Sequence, residues 1–188
     1  MKFTPVALLL VAAAAAGSTD TTSGHAVSQS LGATSGAARG KYLVTVFGCG
    51  DCHTPLKMGP QGPSPDLNRA LSGHPEQMGA LRMPRLEQPY LWAGAATNTA
   101  FAGPWGISYA ANLTADQNTG LGIWTEEMFV KALRTGKHMA TARPILPPMP
   151  WQALGQATDD DLNAIYAYLR TVKPITNHVP DAQIPDQD

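Results

Sequence analysis

The chain is poor in the residues that usually define a small stable domain. It has only two cysteines in 188 residues. One bridge at most could form, and a four-cysteine zinc site is excluded. Charged residues make up 14% and the formal net charge is −1. A nucleic-acid binder would carry a basic excess, so that partner class is excluded. No overall sign of charge steers a partner either. Aromatic residues are 7%, so an apolar cofactor would help to fill the core. The one long apolar run, Val6 to Ala16, is shorter than the roughly 20 residues that cross a bilayer. No other stretch could span a membrane.

Glycine and proline are plentiful, at 18 and 16 residues. That level predicts a loop-rich chain but stays below the composition of disorder, and the length suits one domain. Lys2 precedes the apolar run, and Ala14-Ala15-Ala16-Gly17-Ser18 follows it. Residues 1–17 therefore read as a signal peptide with an A-x-A type cleavage site. Residues 18–33, rich in Ser, Thr and Gly, read as a flexible leader. The expected location is the periplasm. An uncleaved leader acting as a membrane tether is the other reading.

Both cysteines fall in Cys49-Gly50-Asp51-Cys52-His53, the C-x-x-C-H attachment sequence for c-type haem. In a helix, positions 49, 52 and 53 stand at i, i+3 and i+4 on one face. Two thiolates there can add to the two vinyl groups on one porphyrin edge, and the adjacent imidazole can bind iron. A thiol-redox pair and half of a zinc site are the competing readings; His53 favours haem.

Residues 37–47 predict a helix capped by Thr34 or Ser35, with Tyr42, Leu43, Val44 and Val46 on its apolar face. Gly40 inside that helix predicts a close contact with another backbone. Six prolines between Thr54 and Gln88 predict an irregular ordered loop, and His74 reads as a surface turn residue. Trp92, Phe101, Trp105 and Tyr109 are candidates for a porphyrin lining, with Gly103-Pro104-Trp105-Gly106 a turn. Asn112 reads as a structural hydrogen bonder. Thr125 to Thr135 predicts a helix closed by Gly136. A last helix starts from a Thr158/Asp161 capping pattern and is stopped by Pro174. Residues 175–188 read as a tail lying loosely on the surface.

Seven methionines compete for a second axial position. Met149 is preferred because Pro147, Pro148 and Pro150 hold it in a stiff frame, which suits a weak thioether ligand. Met139 and His138 are the rivals. Imidazole and thioether leave ferric haem positively charged, so burial raises the reduction potential. With both axial positions filled, iron changes oxidation state without changing partners.

These stretches resemble the bacterial class I c-type cytochromes, especially exported monohaem proteins and the cytochrome subunits of membrane-bound dehydrogenases. Gly40-Lys41-Tyr42-Leu43, the Cys49–His53 motif with Thr54-Pro55, Asn112-Leu113-Thr114, Thr119 to Trp124, Leu146 to Trp151 and Ile165 to Arg170 carry the likeness. It implies an all-α cytochrome c fold over 34–174, with a few short helices and long Pro/Gly-rich loops around one covalent haem c. It also implies Met149 as a ligand, and a crossing of first and last helices near Gly40 and Ile165–Tyr168. The expected function is periplasmic electron transfer rather than enzymatic catalysis, with no catalytic residue set. The donor would be a dehydrogenase or quinol-oxidising complex, and the acceptor an oxidase or another cytochrome. A haem enzyme or gas sensor with an open sixth site, and a C-x-x-C thiol oxidoreductase, are the alternatives.

Overall fold

A computed structural model describes residues 36–139 and 141–185. The signal and leader assignments for 1–33 lie outside the described residues, as does the Thr34/Ser35 cap.

Among the described residues, five α-helices frame the chain. Helix α1 covers residues 36–46. Its buried stripe is Gly40, Leu43 and Val44, the i, i+3, i+4 pattern. Tyr42 and Val46 were expected on this face but stay more than half exposed. At about 100° per residue Tyr42 lies about 100° and Val46 about 60° beyond Leu43, outside the stripe, so one face cannot hold all four. α1 stops where Gly48 turns left-handed at φ 67, and α2, Cys49–His53, begins at once.

α3, Glu126–Thr135, is punctuated as its sequence predicts: Thr125 accepts from the Met128 amide, and Gly136 closes it at φ 66. α4 is the single turn Trp151–Leu154. α5, Asp159–Leu169, is capped by Thr158 accepting from the Asp161 amide. It ends well before Pro174, its last turn held by Arg170, which donates to the Leu121 and Gly122 carbonyls.

The core lies where α1, α3 and α5 meet. Leu43, Phe129, Leu133, Leu162, Ile165 and Leu169 form it, each contributing about 1.5–3 kcal/mol of transfer free energy. Gly40 sits at the crossing of α1 and α5. A Cβ added there would lie 2.5 Å from the Ala164 carbonyl carbon and 2.8 Å from Tyr168 Cβ. The expected close approach is present.

This helical core carries two small antiparallel sheets in its long connections. Strands β1, Leu56–Gly59, and β2, Gly62–Pro65, make a hairpin with Gly59 opposite Gly62. The expectation of an irregular stretch there is corrected. The hairpin is two strands wide, so Pro63 and Pro65 can face away from the partner strand, where no amide is required. Strands β3, Ala93–Gly94, β4, Ala100–Gly103, and β5, Gly106–Tyr109, form the second sheet in that order. Pro104-Trp105 is the turn between β4 and β5, as the sequence indicates.

The C-terminal segment does not lie loosely. Asn177 is fully buried. Its side-chain oxygen accepts from Arg69 and the Glu76 amide, and its nitrogen donates to the Ser72 and His74 carbonyls. Farther on, Gln183 and Ile107 exchange both main-chain hydrogen bonds. Residues 175–185 therefore form a strap across β5. Among the described residues, no helix is long and apolar enough to cross a membrane.

Candidate haem site

The left-handed turn at Gly48 sets the direction of α2, and the helix then places Cys49, Cys52 and His53 on one side. The motif is fastened to two loops by main-chain bonds. The Gly73 amide donates to the His53 carbonyl at 2.8 Å. His74 N donates to Ala110 O and Leu113 N to Leu71 O, each at 2.9 Å. Thr54, next to the motif, is buried and accepts from the Leu71 amide at 3.0 Å.

These bonds bring the Ala111 carbonyl 2.8 Å from His53 Nδ1. A carbonyl oxygen only accepts, so Nδ1 carries the proton and Nε2 keeps a lone pair. Burial lowers the His53 pKa, and the Ala111 bond opposes that only in part. The ring is therefore neutral, which is the ligand form of imidazole. A backbone carbonyl on the second ring nitrogen is the usual arrangement behind a metal-binding histidine.

The motif opens onto a cavity of about 470 Å³, within the roughly 300–1,000 Å³ of ligand sites. Cys49, Cys52, His53 and Met149 all line it. Much of the rest is apolar, including Phe101, Leu121, Leu133, Ile145 and Leu169. Of the described methionines, Met149 alone reaches this wall; Met58 is 73% exposed. Met139 does not line the cavity. His138 does, edge-on to Trp124 at 4.9 Å between ring centres.

The Met149 loop is held from several sides. Ser108 donates to the Pro147 carbonyl at 2.6 Å, and Ile145 N donates to Gly136 O at 2.7 Å. Gly136 is in turn closed over by the Trp151 ring, where a Cβ would collide with the indole.

The thiols are poor nucleophiles where they stand. Burial pushes the Cys49 thiol up to about 11, and burial with the nearby Asp51 raises Cys52. Reactive redox cysteines show the reverse shift, so the geometry disfavours the thiol-oxidoreductase reading.

No family model matches the chain. It is 39% identical over 87 residues to the fructose dehydrogenase cytochrome subunit of Gluconobacter japonicus, covering 46% of this chain and 18% of that one. It is 31% identical over 150 residues to the alcohol dehydrogenase (quinone) cytochrome c subunit of Gluconobacter oxydans (strain 621H), covering 78% and 24%. The gluconate 2-dehydrogenase cytochrome c subunit of Pantoea cypripedii is 34% identical over 85 residues, covering 45% and 19%. The chain spans less than a quarter of the length of each of these relatives. It is similar to the cytochrome c subunits of bacterial dehydrogenases.

The likeness implies haem c, and the residues of this chain fit that group. The cavity wall is largely apolar, two sulfurs sit a helical turn apart, and an imidazole nitrogen without a hydrogen bond among the described residues faces in from the motif. Of the four aromatic residues singled out in the sequence, Phe101 and Tyr109 line the cavity and Trp92 and Trp105 do not. Trp92 instead meets Phe101 edge-on from outside, 5.9 Å between ring centres.

His74 is not a surface turn residue. It is fully buried outside the cavity, with Nδ1 on Thr99 and Nε2 on the Gly79 carbonyl, so neither nitrogen is available to a metal. Asn112 is the hydrogen bonder its context indicates: it accepts from Thr114 N and Oγ1 and donates to Thr119 Oγ1 and the Ile175 carbonyl. The wall residues that sequence reasoning missed are Arg143 and the strap residues His178, Val179, Pro180, Ala182 and Ile184. No local pattern marks them; only the long-range pairing of the strap brings them in.

Proposed function

We propose that the cytochrome is an electron carrier, or an electron-transfer subunit, working in the periplasm with one haem c joined through Cys49 and Cys52. His53 Nε2 and the Met149 sulfur are the axial ligands. Bound there, haem supplies reversible one-electron chemistry. The chain's own contribution is to hold both ligands still, to exclude water from the ring and to keep His53 neutral. One observation carries this reading: His53 is locked by Ala111 with its free nitrogen toward the cavity that Met149 alone of the described methionines lines. With both axial positions filled by protein, no site is left for a substrate on iron.

The donor is a dehydrogenase or a quinol-oxidising complex, and the acceptor an oxidase or another cytochrome. The dehydrogenase assignment is supported by the cytochrome subunits to which the chain is similar. The apolar run after Lys2 supports export.

The test is the visible spectrum of the purified, redox-poised holoprotein, with Met149→Ala beside it. The parent should give a low-spin ferrous spectrum that carbon monoxide leaves unchanged. Met149→Ala should retain covalent haem and bind carbon monoxide. Its potential should fall by on the order of 0.1 V, within the roughly 0.8 V span that axial ligands set. Rapid carbon monoxide binding by the parent would sink the carrier reading. An unchanged potential in the variant would move the ligand to another donor in the wall, such as His138 or His178.

A further inference from the structure

The cavity wall carries one permanent positive charge. Arg143 lines it, and among the described residues no lysine, aspartate or glutamate does. Haem, however, brings two carboxylates on the edge opposite its vinyl groups. A carboxylate buried without a charged or hydrogen-bonding partner is strongly disfavoured.

Two of the wall's hydroxyls donate elsewhere, and the Tyr109 hydroxyl already accepts from the Leu81 amide and the Gln183 side chain. Ser108 donates to Pro147 O, and Thr119 Oγ1 donates to Asp116. Arg143 is only partly committed. Its Nε donates to Thr141 Oγ1 at 3.1 Å and Nη1 to Asp181 at 2.6 Å. Nη2 makes no hydrogen bond among the described residues. Asp181 belongs to the strap, between Pro180 and Ala182, which line the same cavity. Its own side chain is 89% exposed, so it holds the guanidinium from the solvent side. The field of Arg143 reaches into the pocket: it adds to burial in lowering the pKa of His138, another wall residue.

We propose that Arg143 binds the carboxylate edge of the haem, and that the C-terminal strap positions it through Asp181. The proposal rests on the haem reading given above. Arg143 is the binding residue; a planar guanidinium can serve two carboxylate oxygens at once. Asp181 is a positioning residue: it holds Arg143 Nη1 from the solvent side, does not itself line the cavity, and offsets part of the guanidinium's charge. A segment that looks like a dispensable tail in the sequence thereby becomes part of the cofactor site and a control on its potential.

The experiment is the midpoint potential of purified holoprotein at pH 7 for the parent, Arg143→Gln, Arg143→Lys and Asp181→Asn. A positive charge beside the haem favours the ferrous form. Arg143→Gln should therefore shift the potential down, and Arg143→Lys should restore most of the loss. Asp181→Asn keeps an oxygen to accept from Arg143 Nη1 but removes the negative charge that offsets the guanidinium, and should shift the potential up. Opposite signs for the Gln and Asn variants support the proposal, because general loosening of the pocket would move both the same way. If Arg143→Gln yields no holoprotein, the sign for Asp181→Asn decides alone. A parent potential in both variants, or shifts of one sign, would overturn it. A parent whose mature mass lacks haem would instead remove the cofactor reading beneath it.

Discussion

Replacing Gly40 by alanine should destabilise this domain, although the same change in most helices is favourable. In an exposed helix Gly→Ala gains about 1 kcal/mol. Here the new Cβ would stand 2.5 Å from the Ala164 carbonyl carbon and 2.8 Å from Tyr168 Cβ, where carbon atoms pack at about 3.5–4.0 Å. α1 must then withdraw from α5 by about 1 Å, which forfeits a quarter to a half of the dispersion energy of the contacts it leaves. Those contacts include the buried Leu43 and Val44. Overpacking of this kind costs about 1–3 kcal/mol. Since the obstacle is backbone rather than a movable side chain, the upper part of that range applies, and the net loss after the propensity gain is about 2 kcal/mol. Urea unfolding of the holoprotein should show it as a midpoint lowered by roughly 1 M at an unchanged slope, and heating as a Tm lower by about 4–8 °C. Gly36→Ala is the internal control. It lies in the same helix with nothing within 4 Å of its would-be Cβ, and should be neutral or slightly stabilising. A Gly40→Ala protein as stable as Gly36→Ala would refute the account of the crossing.

Two further perturbations test the strap and its surroundings. Asn177→Ala should cost about 3–4 kcal/mol, since it strands buried groups that each lose on the order of 1–3 kcal/mol when unpaired; amide exchange at Ile107 and Gln183 should accelerate more than exchange in α5, and equal protection in parent and variant would contradict the anchoring role. Asp116 is held down to about 2, chiefly by the Thr119 hydroxyl and amide, with Thr176 and Asn118 adding. A depressed carboxylate contributes stability that is complete above the ordinary carboxylate range and is lost as pH falls through its folded value. Asp116→Asn should thus flatten the decline in stability between pH 4 and pH 2, followed by fluorescence; a decline as steep as the parent's would count against it.

Much of the helical frame was legible because its signals are local. Thr125, Gly136 and Thr158 act within four residues of where they stand, and Gly40 announces its crossing by being out of place in a helix. Grouping of Cys49, Cys52 and His53 follows from helical spacing alone. That Met149 shares their cavity follows from its proline frame only in part, since His138 reaches the wall as well. The hairpin at Leu56–Pro65 was not legible, because its prolines and glycines give no alternating apolar pattern. Nor was the strap: the partners of Asn177 lie about a hundred residues away, and a polar, proline-bearing stretch carries no mark of such pairing. His74 misled for the same reason. Its turn sequence is real, but the strap and the β5 edge bury the turn.

The crossing of α1 with α5 also governs the order of events during assembly. Residues near 40 cannot settle until those near 164 have been synthesised and have returned to them, and the wall made by 178–184 arrives later still. Closure over so long a loop is slow relative to local helix formation. In that interval the sulfurs at 49 and 52 belong to an open chain. A topology that joined neighbouring helices first would have enclosed them earlier.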